Sequence, residues 1–414
     1  MWYYVIVQSI RAKTLIRTSE QSPAHVHLNP YQGCYHDCRY CDGKSERYYM
    51  HEDFTKRVIA KINAPELLER YLSRKGFFPY NRESTSTMVD YVPSMKNGDS
   101  LNLPPKFLIS MFGNICDVYQ PAETKFQITR KLLNVAYDYG FPIRLLTKSK
   151  LVLRDIDLLN DIQKDSFARV ALTITLADEK TQRIFEPNAS STYERFEALK
   201  ILRKEGISAG VYITPVIPFI GDSEDNLHSL FQSAKEADAE FIITGGLTLR
   251  PGRNKNEFFE TLKTHYPDML TKYKRIYGNN QRGGQPDPKV AEDFNLIDII
   301  KTGYLLCKKY GITFYEPRYI PHGQKRINLQ ISTALARIAF LKERIYHEQE
   351  KIGEIRKAAA YIENMQDNIK LMNENGLKDL PFDNQIIEII SEILSSNSCQ
   401  YLESRNEWTN LFYN

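Results

Sequence analysis

RVALTITLADEKTQRIFEPNASSTYERFEALKILRKEGISAGVYITPVIP, residues 169–218, changes its hydrophobic period twice. It opens on an apolar run, RVALTITL. It passes through STYERFEALKILRKEG, whose apolar positions share one helical face before a glycine stop, and returns to an apolar run in ISAGVYITPVIP. Short apolar runs bounded by turn residues are what strands covered on both faces look like. Strand, helix and strand at this spacing make a right-handed βαβ unit of a parallel sheet.

The rhythm extends both ways. Upstream lie the strand FLISMF (107–112), the helix AETKFQITRKLLNVAYDYG (122–140), the strand PIRLLTKS (142–149) and the helix LRDIDLLNDIQK (153–164). Downstream lie the helix SEDNLHSLFQSAKEAD (223–238) and the strand AEFIITGGLTL (239–249). A further strand near residue 28, where His25 and His27 alternate with Val26 and Leu28, completes the set. The expectation is an α/β fold, a partial (β/α)6 TIM-like barrel rather than a closed eightfold one, with chemistry at the C-terminal strand ends. Those ends are polar: Gly113-Asn114-Ile115-Cys116-Asp117, Thr147-Lys148-Ser149, Thr173 and Thr175, Thr214-Pro215, then Gly245-Gly246 and Arg250. Singly, a Thr or Ser after a strand reads as a helix cap and a lone Lys as solvated. As a set at one end of a sheet they line a cavity.

The strand near residue 28 runs into NPYQGCYHDCRYCD (29–42), which holds Cys34, Cys38 and Cys41 of the chain's six cysteines. Three thiolates on one short loop are metal ligands by spacing. A structural zinc site and an all-cysteine cubane each want four protein ligands. His36 lies inside the same tight loop, where reaching a shared metal would be strained, and Cys116, Cys307 and Cys399 stand singly. Three ligands suit a 4Fe-4S cluster with one iron open to a substrate or cofactor.

The CxxxCxφC form, with Tyr40 before the third cysteine, resembles the radical S-adenosylmethionine (SAM) enzymes. In that family SAM chelates the open iron and is cleaved reductively to a 5′-deoxyadenosyl radical that abstracts a hydrogen atom. With DVYQPAE (117–123), LLTKSKLVLRD (145–155), ITLADEKTQRIFEPNASSTYERFEALKILRKEGI (174–207) and ITPVIPFIGD (213–222), the chain resembles the spore photoproduct lyase-like, or DNA repair photolyase-like, group over roughly residues 25–252. The resemblance implies a 4Fe-4S cluster on Cys34, Cys38 and Cys41, and SAM as second cofactor. It implies Tyr40 near the adenine, Lys148 with Ser149 at the SAM carboxylate, Thr173 or Thr175 at ribose or methionyl atoms, and Cys116 facing the methionyl amine. Two places depart from the group. Many relatives have Tyr after the third cysteine, where this chain has Asp42. The hydrogen-donating Cys of true spore photoproduct lyases falls on Asn114, whose amide N–H bond is too strong to donate a hydrogen atom. A radical SAM enzyme acting on an unknown substrate, with nucleic acid one candidate, therefore stands above a DNA photoproduct lyase. A structural iron–sulfur or zinc module that binds nucleic acid is the third reading, and it leaves Lys148 and the strand-end threonines unexplained. The electron would come from a donor such as a flavodoxin or ferredoxin.

Composition is compatible with this. A chain of 414 residues, 42% hydrophobic and 26% charged, bounds a globular protein of one large domain with an appendage, or of two domains. No apolar run reaches membrane-spanning length, MWYYVIVQSI is too short for an export signal, and few cysteines fit a reducing compartment, so the cytoplasm is expected. The formal charge of +4 is no electrostatic footprint for nucleic acid. The expected division is a radical SAM barrel over 1–252, barrel-completing helices and loops over 253–325, and a helical appendage over 326–414. Residues 79–106 read as a loop rich in Ser, Asn, Pro and Gly. The aromatics of 255–277, at helical spacing, read as core before base-stacking groups. In the appendage Ile331, Ile338, Ile345 and Ile352 fall seven apart beside Ala334, Leu341, Ile355 and Ile362, which predicts one amphipathic helix with a coiled-coil-like seam, then a shorter helix in DNQIIEIISEIL.

Overall fold

The structure is a computed structural model that describes residues 6–19, 22–80, 106–111, 115–278, 283–291, 294, 298–320, 326–408 and 411–413. Most of the 79–106 loop lies outside the described residues. The chain divides into two compact units, Met1–Tyr80 with Leu103–Phe314, and Asn81–Asn102 with Tyr315–Asn414.

The first unit is a mixed α/β fold. Its strands are β1 (Ile6–Ile10), β2 (Ile16–Ser19), β3 (Ser22–Leu28), β4 (Tyr31–Gln32), β5 (Arg57–Lys61), β6 (Leu108–Met111), β7 (Ile143–Thr147), β8 (Ala168–Thr173), β9 (Ser208–Val216) and β10 (Ile242–Gly246). A seven-stranded sheet has the order β10-β9-β8-β7-β6-β3-β2, and a smaller sheet the order β1-β5-β4. From β3 to β10 every neighbouring pair in the large sheet is parallel, and β2 joins β3 antiparallel. Among the described residues the sheet is open, with β10 and β2 at its edges. The apolar runs give its core: Ile109, Ile143, Leu145, Val170, Leu172, Val211 and Ile213 are fully buried.

Helices cross between these strands, and their starts follow local chemistry. Thr192–Lys204 opens on a capping box of Ser191 and Glu194, and Glu224–Glu236 on the Ser223 hydroxyl. One local expectation differs. The helix read over 122–140 is split at Gln127, which is left-handed at φ 50°, into Glu123–Phe126 and Ile128–Asp138. The buried Glu123 carboxylate accepts from Thr129 N at 3.1 Å, so it caps the second piece from inside the first. Asn63 does not cap Ala64–Arg74; its amide pairs with both backbone groups of Ala12, at 2.7 and 3.0 Å. Past β10, the aromatics Phe258, Tyr273 and Tyr277 are packed in the core.

In the second unit the seam residues are all buried, but in two helices rather than one. Arg326–Phe340 continues through a π-turn over Leu341–Ile345, and Ile352–Asn364 follows. His347 and Lys351 are left-handed between them, at φ 56° each, so the polar HEQEK stretch breaks the helix. A heptad pattern does not distinguish a long helix from two that face each other. Asn384–Ser396, capped by Asp383, is the expected shorter helix.

Candidate active site

The cysteine loop leaves β4 through Gly33, at φ +81°, where a Cβ would stand 2.2 Å from the Arg57 carbonyl oxygen. Only glycine fits both that dihedral and that contact. Gly33→Ala is therefore expected to destabilise the fold by about 2 kcal/mol or more, read as a lowered urea midpoint. A midpoint equal to that of the parent would show that the loop is not held this tightly.

The loop is pinned on three sides. The fully buried Gln120 donates to Gly33 O at 2.9 Å and accepts from Tyr35 N at 3.0 Å. Asn188 donates from its side chain to Tyr35 O at 2.9 Å, its carbonyl lies 3.2 Å from His36 Nδ1, and Arg39 N reaches Phe185 O at 2.8 Å. The fully buried Asn254 donates to Tyr40 O at 3.3 Å and Cys41 O at 3.0 Å. Charged pairs extend this last contact: Lys44 and Arg39 both meet Asp37 and Glu257, Arg250 meets Asp42 at 2.7 Å, and Arg253 meets Glu46 at 3.2 Å.

Within this frame Cys34, Cys38 and Cys41 are free thiols, the first two 7% exposed and the third partly buried. Burial pushes the three thiols up, Cys38 to about 12. Among the described residues no three His, Cys, Asp or Glu side chains are grouped to hold a single metal ion. The His36 ring faces protein oxygens on both sides, with Nδ1 3.2 Å from Asn188 O and Nε2 3.2 Å from Asp117 Oδ2.

Lys148 Nζ lies 5.8 Å from the Tyr40 ring centroid. Burial pulls its ammonium down, but Cys38, Glu186 and Asp117 around it raise it on balance. Its backbone N–H donates to Asp117 at 2.7 Å, and the Thr147 hydroxyl donates to the other Asp117 oxygen at 2.7 Å. Burial alone would raise the Asp117 carboxyl; His36 and these donors outweigh it and hold it at about 2. The Tyr40 hydroxyl and the Thr175 hydroxyl both donate to Glu186 Oε1, and Arg195 pairs with Glu186 Oε2. Arg195 also donates to Thr173 O at 2.6 Å. Tyr40, Lys148, Thr173 and Thr175 are thus gathered around one buried pair, Glu186 and Arg195, both fully buried. The Ser149 hydroxyl turns away to cap Lys150–Asp155. Cys116, 3% exposed, is held by the Gly33 backbone beside the loop, and Asn114 lies outside the described residues.

Sequence reasoning missed Glu186, Arg195, Gln120, Asn188 and Asn254 as parts of the site. EPN (186–188) offered one signal, a Glu and an Asn around a proline at the end of the short helix Glu179–Phe185.

No family model matches the chain. An uncharacterized protein of Mycobacterium tuberculosis is 25% identical over 274 residues, covering 65% of this chain and 71% of that protein. An uncharacterized protein of Methanocaldococcus jannaschii is 29% identical over 260 residues, 63% and 83% of the two chains. A radical SAM Nalpha-GlyT isomerase of Pseudomonas phage M6 is 21% identical over 189 residues, 45% of this chain and 37% of its own. Among the solved structures it resembles are spore photoproduct lyases. One, with bound AdoMet and dinucleoside spore photoproduct, has a TM-score of 0.49 and 15% identity over 73% of this chain and 78% of that one. Among the described residues no helix is long and apolar enough to cross a membrane.

Proposed function

We propose that this protein is a radical SAM enzyme, with Cys34, Cys38 and Cys41 holding a 4Fe-4S cluster and SAM binding between the cysteine loop and Lys148. The residues fit that pair of cofactors. Three thiols, two buried and one partly buried, share one pinned loop, and the histidine inside it faces Asn188 and Asp117. When bound, such a cluster with SAM supplies a 5′-deoxyadenosyl radical for hydrogen abstraction.

The observation that carries the reading is Lys148. Among the described residues its ammonium has no hydrogen-bond or ion-pair partner, and it stands over Tyr40 beside Cys38. A half-buried cation with carboxylates nearby but none in direct contact leaves its ammonium donors open to a ligand carboxylate, as SAM carries. Tyr40 presents its ring to the same space, held by Glu186 so that its orientation does not depend on the ligand. Thr173, Thr175 and Cys116 complete the wall; Ser149 contributes through the turn it caps. Cys116, two residues past Asn114 in the chain, is the candidate hydrogen donor in this reading.

The large sheet is, in this reading, the wall of a partial (β/α)6 barrel. Laid flat, β3 and β10 would stand about 24 Å apart, five strand spacings. Instead, beyond the C-terminal ends of these two strands, the loop after β3 is joined to the start of the helix after β10 by Asn254 and four charged pairs. The division into 1–252, 253–325 and a 326–414 appendage, a flavodoxin- or ferredoxin-type electron donor, a cytoplasmic setting and a nucleic-acid substrate belong to the same proposal.

Anaerobic reconstitution followed by measurement of 5′-deoxyadenosine tests it. Lys148→Ala is expected to weaken SAM binding at least about tenfold, since a charge-assisted contact contributes roughly 1.5 to 3 kcal/mol. Unchanged affinity would remove Lys148 from the site, and no SAM cleavage by the clustered parent would overturn the function.

A further inference from the structure

One short segment grips both halves of the proposed site. Asp117, in the stretch after β6, accepts through Oδ1 from the Thr147 hydroxyl at 2.7 Å and the Tyr119 N–H at 2.8 Å, and through Oδ2 from the Lys148 N–H at 2.7 Å. The same Oδ2 lies 3.2 Å from Nε2 of His36, which stands between Cys34 and Cys38. Further along the segment, Gln120 holds Gly33 O and Tyr35 N of the loop. Residues 117–120 thus meet the cysteine loop at Gly33, Tyr35 and His36, and the end of β7 at Thr147 and Lys148.

The contact with Lys148 matters because of where that residue sits. β7 ends at Thr147, so Lys148 lies past the strand ladder; its N–H goes to Asp117 and its carbonyl accepts from Ser190 N at 3.2 Å. Its ammonium makes no hydrogen bond or ion pair among the described residues, so its place is set from the backbone outward. A ligand held at two points gains from both only while their spacing is kept, and a misplacement of about 1 Å can cost on the order of a hundredfold in rate. The donor set also says why a carboxylate is needed. Held at about 2, Asp117 is ionised near neutral pH and only accepts. An asparagine there would carry one oxygen and one NH2, and in either orientation the NH2 would face a backbone N–H, of Lys148 or of Tyr119. A backbone N–H cannot turn to accept, so one of the two contacts would be lost.

We propose that Asp117 is a positioning residue that fixes the Lys148 ammonium against the cysteine loop, and through it the affinity for SAM. The inference rests on the proposed function in taking SAM to be the ligand that spans the loop and Lys148. Asp117 acts through the Lys148 backbone and not by touching that ligand.

The test is anaerobic equilibrium binding of SAM to the reconstituted full-length protein, with iron and sulfide counted in each variant. Asp117→Asn is expected to keep the parental iron and sulfide and to weaken SAM binding about tenfold. In the Lys148→Ala background the same change should weaken it by less than about twofold more, because the group that Asp117 places is gone. A merely structural role would lower affinity by the same factor in both backgrounds, and that result overturns the inference. So does parental SAM affinity in Asp117→Asn, or loss of the cluster from it, which would make Asp117 a support of the loop alone. Thr147→Val keeps the shape of its side chain and removes one donor from the carboxylate, so it stands in if Asp117→Asn fails to fold. About a threefold loss is expected from it in the parent and none beyond Lys148→Ala, and equal losses in the two backgrounds again overturn the inference. A clustered parent that binds no SAM overturns the proposed function itself, whereas equal losses in a parent that does bind SAM overturn only the role of Asp117.

Discussion

Alanine at Cys34, Cys38 or Cys41, one at a time, is expected to abolish the iron–sulfur absorption of the reconstituted protein and to lower 5′-deoxyadenosine formation by about a hundredfold or more. Three protein thiolates are the fewest that leave a cubane one open iron, so two cannot keep it in the same place. The loop itself should survive each change. Gln120, Asn188 and Asn254 hold it through backbone groups that the substitution leaves alone. The control is Cys307→Ala, whose buried sulfur faces the carbonyls of Ile242 and Thr313 at 3.9 and 3.8 Å and takes no part in the loop. That variant should keep the full cluster. A Cys38→Ala protein with parental iron and sulfide, or a parent that carries stoichiometric zinc and no cluster after anaerobic purification, would count decisively against the proposed site.

What the sequence made legible followed from period and spacing. The strands β6 to β10 and their crossing helices were readable because a buried parallel strand is an apolar run and a crossing helix has a 3.6-residue stripe. The cysteine loop was readable because thiols at CxxxCxxC spacing are rare without a ligand. The pairing of Arg17, His27, Ser110, Arg144, Arg169 and Ser208 in one row across six strands could not be read, because register relates residues that no local pattern connects. The break at 346–351 was hidden for the opposite reason: two facing helices preserve the same seam as one. Asn254 reaches the loop from more than 200 positions away, and its signal in the chain is only an asparagine near a helix start. The site thus divides into a part written locally, the three cysteines, and a supporting part that exists only after folding.

The largest stability effect is expected from that supporting part, at Arg195. Arg195 and Glu186 are both without exposed surface, and Glu186 also receives the hydroxyls of Tyr40 and Thr175. Burial alone would raise the Glu186 carboxyl; Arg195 first, then Lys148 and the hydrogen bonds, outweigh it and hold it at about 2. Arg195→Met keeps most of the side chain's bulk but leaves a buried carboxylate with its main counter-charge gone. Removing one partner of such a pair costs about 3 to 5 kcal/mol, and urea unfolding should show a loss of that size. The double variant Glu186→Gln/Arg195→Met should recover much of it, because no buried charge is then left unpaired. The pH dependence follows from the same pair. With its folded value below the ordinary 4.5, Glu186 stabilises the fold above about pH 4.5, and that stabilisation fades as pH falls toward 2. Glu186→Gln should therefore flatten the acid limb of the stability curve. It should also loosen Tyr40, raising the KM for SAM more than it lowers kcat, a split that a purely structural role for Glu186 would not produce. Equal stability of the parent and Arg195→Met would mean that the carboxylate finds another partner, and the network would not be what orients Tyr40.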